Sequence, residues 1–260
     1  MKWDQLTGQL EMLCPKQAAL DFDNVGLLVG RKDKEIEKVY LAVDALDEVI
    51  EDAIHWGADL LLTHHPLIFS GMKSVTDQDF IGRRVVKLLQ NDLNYYAMHT
   101  NYDVKRMADL AAEKLNLKDP QVLEVTAVVE EREEGIGKIG NLETAKSLRE
   151  CTQLVKESFG LPDVRVFGDL EMKITRAAIC PGSGKSVIDE AIAKKAQVLI
   201  TGDIGHHEGI DAVARDLAII DAGHYGTEYM FMEDMKKYFQ EQLPEIQVKC
   251  AQVCYPFQTI

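Results

Sequence analysis

Six of the seven histidines fall in short blocks that also carry carboxylates. His64 and His65 lie in "LLTHHPLIF", and His99 precedes Asp103 in "MHTNYD". Asp203 comes just before His206 and His207 in "TGDIGHHE", and "IDAGHYGTE" supplies Asp221, His224 and Glu228. The seventh, His55, adjoins Trp56 on a helical pattern and reads as structural. Imidazole nitrogens mixed with carboxylate oxygens suit Zn, Fe, Mn or Ni better than Ca or Mg, which prefer all-oxygen shells. Five or more such groups exceed what one catalytic metal uses. Two cations bridged by a carboxylate form the economical arrangement, and Asp103 and Glu228 are the candidate bridges. His224 and Glu228 are four residues apart where "TEYMFMEDMKKYFQEQL" begins a helix, so their side chains should meet in its first turn. For Asp103 a second role stays open, as N-cap of the helix "VKRMADLAAEKL". His99 is the candidate proton carrier, because imidazole titrates in the range that general acid-base work needs.

The elements that must position these groups are legible from a repeat. "VIEDAIHWGADLLLTHH" (49–65) realigns on "VIDEAIAKKAQVLITGD" (187–203), placing Thr63 on Thr201 and the histidine pair on Gly202 and Asp203. Each copy follows a short apolar, β-branched run, "KVYLAVDA" and "ITRAAICPG". Each is followed by another helix and another strand, "DFIGRRVVKLLQND" then "LNYYAMH", and "EGIDAVARDL" then "LAIIDAGH". Strands alternating with helices pair in parallel and make an α/β layer fold, here doubled into two similar halves with mixed, mostly parallel sheets. The expected halves are residues 1–124 and 125–260. In such sheets ligands bind beyond the carboxyl ends of strands, where the histidine blocks stand. Adjacent side chains in a regular strand point to opposite faces, so His64 and His65 would diverge unless the chain leaves the sheet, which Pro66 allows.

Bulk properties exclude several classes. The chain has 260 residues, 46% hydrophobic, enough for a sizeable core. A formal charge of −14 argues against nucleic acid or a membrane surface as partner. The five cysteines (Cys14, Cys151, Cys180, Cys250, Cys254) form no CxxC; they are expected to be buried thiols in a reducing, cytoplasmic compartment, with Cys250 and Cys254 on one face of a strand. The N-terminus is amphipathic, with Trp3, Leu6, Leu10 and Leu13 on one side, and does not read as a signal peptide. No apolar run reaches the roughly 20 residues of a membrane span.

Two motifs imitate nucleotide sites. "GIGKIG" (135–140) fits GxGxxG, but the acidic run "EEREE", not an apolar strand, leads into it; a loop entering the helix "ETAKSLRECTQLVKESF" is expected, and the acidic run should be a solvated face. "PGSGKS" (181–186) lacks the first P-loop glycine, since Ile179 stands there. Ser186 is expected to cap "VIDEAIAKK", in a turn that could still hold an anionic group.

Taken in order, "DNVGLLVG" (23–30), "LLTHHPLIF", "MHTNYD", "LITGDIGHHE" and "IDAGHYGTE" resemble the blocks of the GTP cyclohydrolase I type 2 homolog family, the Nif-three-like di-metal proteins, in its short form without a central insert domain. The resemblance spans essentially the whole chain. It implies two intertwined α/β halves with a dinuclear metal site between them, assembled into a hexameric ring. It also implies a ligand set of His64, His65, Asp103, His224 and Glu228 holding two divalent ions per chain. His99, Asp203 and His207 would then orient ligands or move protons, with His206 an extra, solvated histidine. The reaction implied is metal-dependent hydrolysis of a nucleotide or another phosphate-containing small molecule. The alternative is a non-catalytic metal-binding ring, acting as scaffold or in metal delivery.

Overall fold

The structure, a computed structural model, describes residues 1–129 and 131–258. The chain divides into two compact units: Met1–Tyr102 with Tyr229–Cys254, and Asp103–Glu228 with the residues from Tyr255 onward. In chain order the elements of the first stretch are α1 (Trp3–Leu13), β1 (Gly26–Val29), β2 (Lys38–Ala42), α2 (Asp47–Trp56), β3 (Leu60–Thr63), α3 (Phe80–Gln90), β4 (Asn94–Ala97) and the turn α4 (Thr100–Tyr102). The second unit follows with a π-helical turn (Asp103–Met107), α5 (Ala108–Lys114), β5 (Lys118–Val129), β6 (Arg132–Ser147), α6 (Leu148–Phe159), β7 (Arg165–Phe167), β8 (Lys173–Ser183), α7 (Ile188–Ala193), β9 (Val198–Gly202), α8 (His206–Val213), β10 (Ala218–Asp221) and α9 (His224–Glu228). The chain then returns to the first unit as α10 (Met230–Gln242) and β11 (Gln247–Cys250).

The duplication is visible in the strand orders. The first sheet runs β1-β4-β3-β2-β11 and the second β5-β6-β8-β9-β10-β7. β2, β3 and β4 pair in parallel, as do β8, β9 and β10. In each set one short antiparallel strand closes the edge, β1 beside β4 and β7 beside β10. Continuous apolar runs build the central strands because both sheet faces are covered: all of Leu60–Thr63 and Val198–Gly202 is buried. In the first unit Ile50 and Ala53 of α2 and Val85 and Leu88 of α3 pack on Tyr40, Leu61 and Tyr95. In the second, Ile188 and Ala191 of α7 and Ala212 of α8 pack on Ala178, Leu199 and Ile219.

Several expectations are corrected. Residues 124 and 125, where the halves were expected to meet, lie inside β5, because this strand makes a long hairpin with β6. "GIGKIG" is not a loop but part of β6, paired with β5 and β8. Its glycines serve the sheet: a Cβ on Gly135 would meet the Glu124 carbonyl at 1.9 Å, and Gly137 has φ +67°. β6 runs on to Ser147, so the helix starts at Leu148, where Ser147 and Glu150 form a capping box. Ser186 is not a cap. It lies within a 3₁₀ turn (Lys185–Val187), and Val187 stands at the N-cap of α7. Of "EEREE", Glu130 lies outside the described residues; Glu131, Arg132 and Glu133 are exposed. Cys14, Cys151 and Cys180 are buried as expected, but Cys250 is half-buried and Cys254, past the end of β11, is exposed. Among the described residues no helix is long and apolar enough to cross a membrane.

Candidate functional site

β3 ends at Thr63, and the next two residues keep their pairing with β2: the His64 and His65 amides donate to the Ala42 and Val43 carbonyls. The chain then bends. The Tyr95 hydroxyl donates to the His65 carbonyl and accepts from the Leu67 amide, so one buried phenol clamps both sides of Pro66. The two adjacent rings therefore stay together, with centroids 4.9 Å apart, instead of diverging. His99, just beyond β4, joins them; one ring nitrogen from each of His64, His65 and His99 lies within 4.8 Å of the others. His64 is fully buried and the other two are half-buried.

The second unit carries its own cluster. His224 Nε2 is 3.1 Å from Glu228 Oε2 across the single turn of α9, as the spacing predicts. Glu228 is buried, and a carboxylate oxygen of Asp103 lies within 4.8 Å of one of its own. Asp103 is not an N-cap: the helix starts upstream at Thr100, and Asp103 opens the π-helical turn, a local distortion frequent at functional sites. Burial, together with the carboxylates of Asp103, Glu124 and Glu228, pushes the Cys180 thiol well above its usual range and keeps it neutral.

Four histidines share one feature. Each places Nδ1 against an acceptor: His64 on the Met98 carbonyl at 2.8 Å, His65 on Asp44 at 2.8 Å, His99 on Asp23 at 2.8 Å and His224 on Asp203 at 2.6 Å. Carbonyl and carboxylate oxygens only accept here, so Nδ1 carries a proton in all four rings, and Nε2 is the nitrogen turned toward the cluster; at His224 it faces Glu228 Oε2 at 3.1 Å, where a cation would take the place of a proton between them. That orientation is what a metal-binding imidazole needs, and acceptors of this kind are how proteins hold it. The donor set thus fits a late first-row divalent cation, and these His, Asp and Glu groups could hold a metal ion.

Asp203 is the acceptor at His224 Nδ1, whereas His206 and His207 are exposed on α8, their rings packed on each other at 5.2 Å. Asp221 is structural. Its buried carboxylate accepts from the Ile204 and Gly223 amides and pairs with Arg165, fixing the turns that carry Asp203 and His224. Sequence reasoning missed Asp44, which follows β2 as the histidine pair follows β3, and assigned no role to Asp23 within its "DNVGLLVG" block. It also missed Gly182 in "PGSGKS". That residue is packed against the protein's own groups: its amide donates to Thr227 Oγ1 at 2.9 Å, and an added Cβ would meet Glu228 Oε1 at 2.2 Å. Gly184 likewise abuts Thr201 Oγ1. The glycines make room for the protein's own groups. With φ +71° at position 182, Gly182→Ala should weaken metal binding about 10- to 100-fold, read by competition with a chromogenic chelator. Gly8→Ala, whose Cβ meets nothing within 4 Å, is the matched control.

The class defined here is a doubled, mixed α/β protein whose strand ends carry imidazoles and carboxylates that could hold a metal ion. The model of the Duf34/NIF3 (NGG1p interacting factor 3) family matches residues 1–258, and the chain belongs to that family. It is 34% identical over 245 residues to the "GTP cyclohydrolase 1 type 2 homolog" of Clostridium perfringens, covering 94% of this chain and 93% of that protein. A Staphylococcus aureus hypothetical protein of known crystal structure is 30% identical, with TM-score 0.89 over 100% of this chain and 99% of that one. A Bacillus cereus protein related to NIF3 shares the fold with TM-score 0.91 at 24% identity, covering 100% and 99%.

Proposed function

We propose that the protein is a metal-dependent hydrolase of a nucleotide or related phosphate-containing small molecule, with His64, His65, Asp103, His224 and Glu228 holding two divalent ions. The observation that carries this reading is a common orientation: four imidazoles, each held by an acceptor at Nδ1, with Nε2 turned to the cluster and, at His224, set beside the Glu228 carboxylate. The chain path bears on both carboxylates. It crosses from the first unit to the second between Tyr102 and Asp103, and back between Glu228 and Tyr229. Both candidate bridging carboxylates therefore stand at crossings, Asp103 only four residues from His99.

When bound, two such cations supply Lewis acidity and a water that ionises near neutral pH. The chain's own residues do the rest. His99 accepts the proton of the attacking water at Nε2, the atom that its bond to Asp23 leaves free. Asp44, the Met98 carbonyl and Asp203 hold the other rings in place, and buried His64 and Glu228 exclude bulk water from their side. The relatives' name, which speaks of GTP, supports a nucleotide substrate. A hexameric ring and a cytoplasmic location belong to the same proposal; light scattering of the purified chain checks the first.

Apoprotein reloaded with Zn, Fe, Mn or Ni should turn over at least one member of a panel of GTP, other nucleotides and simple phosphate esters, and His64→Ala should abolish this. Equal rates in wild type and Glu228→Ala would overturn the reading. Tight metal binding with no turnover across the panel would leave the scaffold or delivery role instead.

A further inference from the structure

Two phenylalanines near His99 take no part in the chemistry above. Phe22 is 61% exposed and Phe69 51%. Their rings lie 6.1 Å apart, tilted by 46°, and Phe69 is 6.4 Å from the His99 ring. The pair is held in place from both sides. Asn24 Nδ2 donates to the Ile68 carbonyl at 2.6 Å, tying the two segments together. Asp23, next to Phe22, accepts from His99 and from the Thr100 amide. Phe80 at the start of α3 is also exposed, with the Arg84 guanidinium 5.2 Å from its ring. Phe22 has Phe69 as ring neighbour, and Phe69 has Phe22 and His99.

We infer that Phe22 and Phe69 form a stacking subsite for the planar heteroaromatic ring of the substrate, set against the His99 side of the first unit. The inference rests on the proposed hydrolytic reading and narrows it, from any phosphate-containing molecule to one bearing a base. Tilted, exposed rings leave π-faces open to a third ring, and stacking tolerates any base because every base has such a face. Charge favours the ring end over the phosphate end. Neither residues 17–30 nor residues 61–72 contain a lysine or arginine, and Asp21 and Asp23 flank Phe22. The carboxylates beside Phe22 disfavour an anionic phosphate at this face, whereas a neutral base has no charge for them to repel.

The test uses the full chain loaded with zinc, and 2-aminopurine riboside 5′-monophosphate as probe, whose fluorescence is quenched on stacking. Saturable quenching is expected, with Phe22→Ala and Phe69→Ala each weakening binding about 10-fold. Phe22→Leu should behave like Phe22→Ala, while Phe22→Tyr should restore binding. Ribose 5-phosphate, which lacks the ring, should not displace the probe. Unchanged affinity in both alanine variants overturns the subsite, as does the absence of saturable quenching. So does a change of oligomeric state in these variants with affinity unchanged, because the face would then belong between copies of the chain. Binding and turnover fail separately. A base that stacks but is not hydrolysed sinks the hydrolase reading alone, and hydrolysis indifferent to both variants sinks the subsite alone.

Discussion

Replacing Glu228 by glutamine should lower bound metal from about two ions per chain to one or fewer and take turnover to background. The substitution keeps volume and hydrogen-bonding reach, so it isolates charge. Glu228 is 3% exposed, in contact with His224 and close to Asp103. A carboxylate can bridge two cations with its two oxygens, and a neutral amide donates only weakly through one. The affinity loss should exceed the 10- to 100-fold typical of changing a group that merely orients a ligand. Metal analysis of the dialysed protein decides it. Two tightly held ions in Glu228→Gln would remove Glu228 as a bridge and, with it, the arrangement proposed for both carboxylates.

The doubled architecture was legible because its signals are local. Buried parallel strands must read as continuous apolar runs, and two such runs with matching helices between them announced the parallel triplets β2-β3-β4 and β8-β9-β10. The same logic put the histidine blocks at strand ends, and the spacing of His224 and Glu228 gave their contact directly. What stayed hidden depended on approach between distant segments. Nothing local in "GIGKIG" distinguishes a glycine-rich loop from a strand whose Gly135 must clear the Glu124 carbonyl. "PGSGKS" looks like a phosphate cradle, although its glycines yield to Glu228 and Thr201 instead. The acceptors that fix each imidazole were equally invisible: the Met98 carbonyl is backbone, and Asp23 lies 76 residues from His99. Blocks rich in histidine point to ligands, but only the fold selects the groups that set their tautomers.

The most discriminating consequence concerns one of those acceptors. Asp23→Asn should reduce turnover about 10³- to 10⁴-fold while leaving the number of bound metal ions unchanged. Burial opposes ionisation of Asp23, yet hydrogen bonds from His99 and Thr100 outweigh it and hold the carboxyl far below its usual range. The side chain is thus an anion at any working pH, and its two oxygens accept from His99 Nδ1, the Asn24 amide, and the amide and hydroxyl of Thr100. Asparagine cannot satisfy that set. With its oxygen turned to Thr100, its NH₂ faces His99 Nδ1 and forces the proton onto Nε2, which then cannot accept one from water. Turned the other way, the NH₂ confronts the Thr100 donors, at a stability cost of about 2 kcal/mol that thermal unfolding would register. The ¹⁵N shifts of His99 separate the two outcomes, since the protonated nitrogen is observed directly. A tautomer moved to Nε2–H with turnover still within about threefold of wild type would show that His99 does not accept the proton. Loss of metal as well as turnover would make His99 a ligand, consistent with its place beside His64 and His65, and would move the proton transfer to another group.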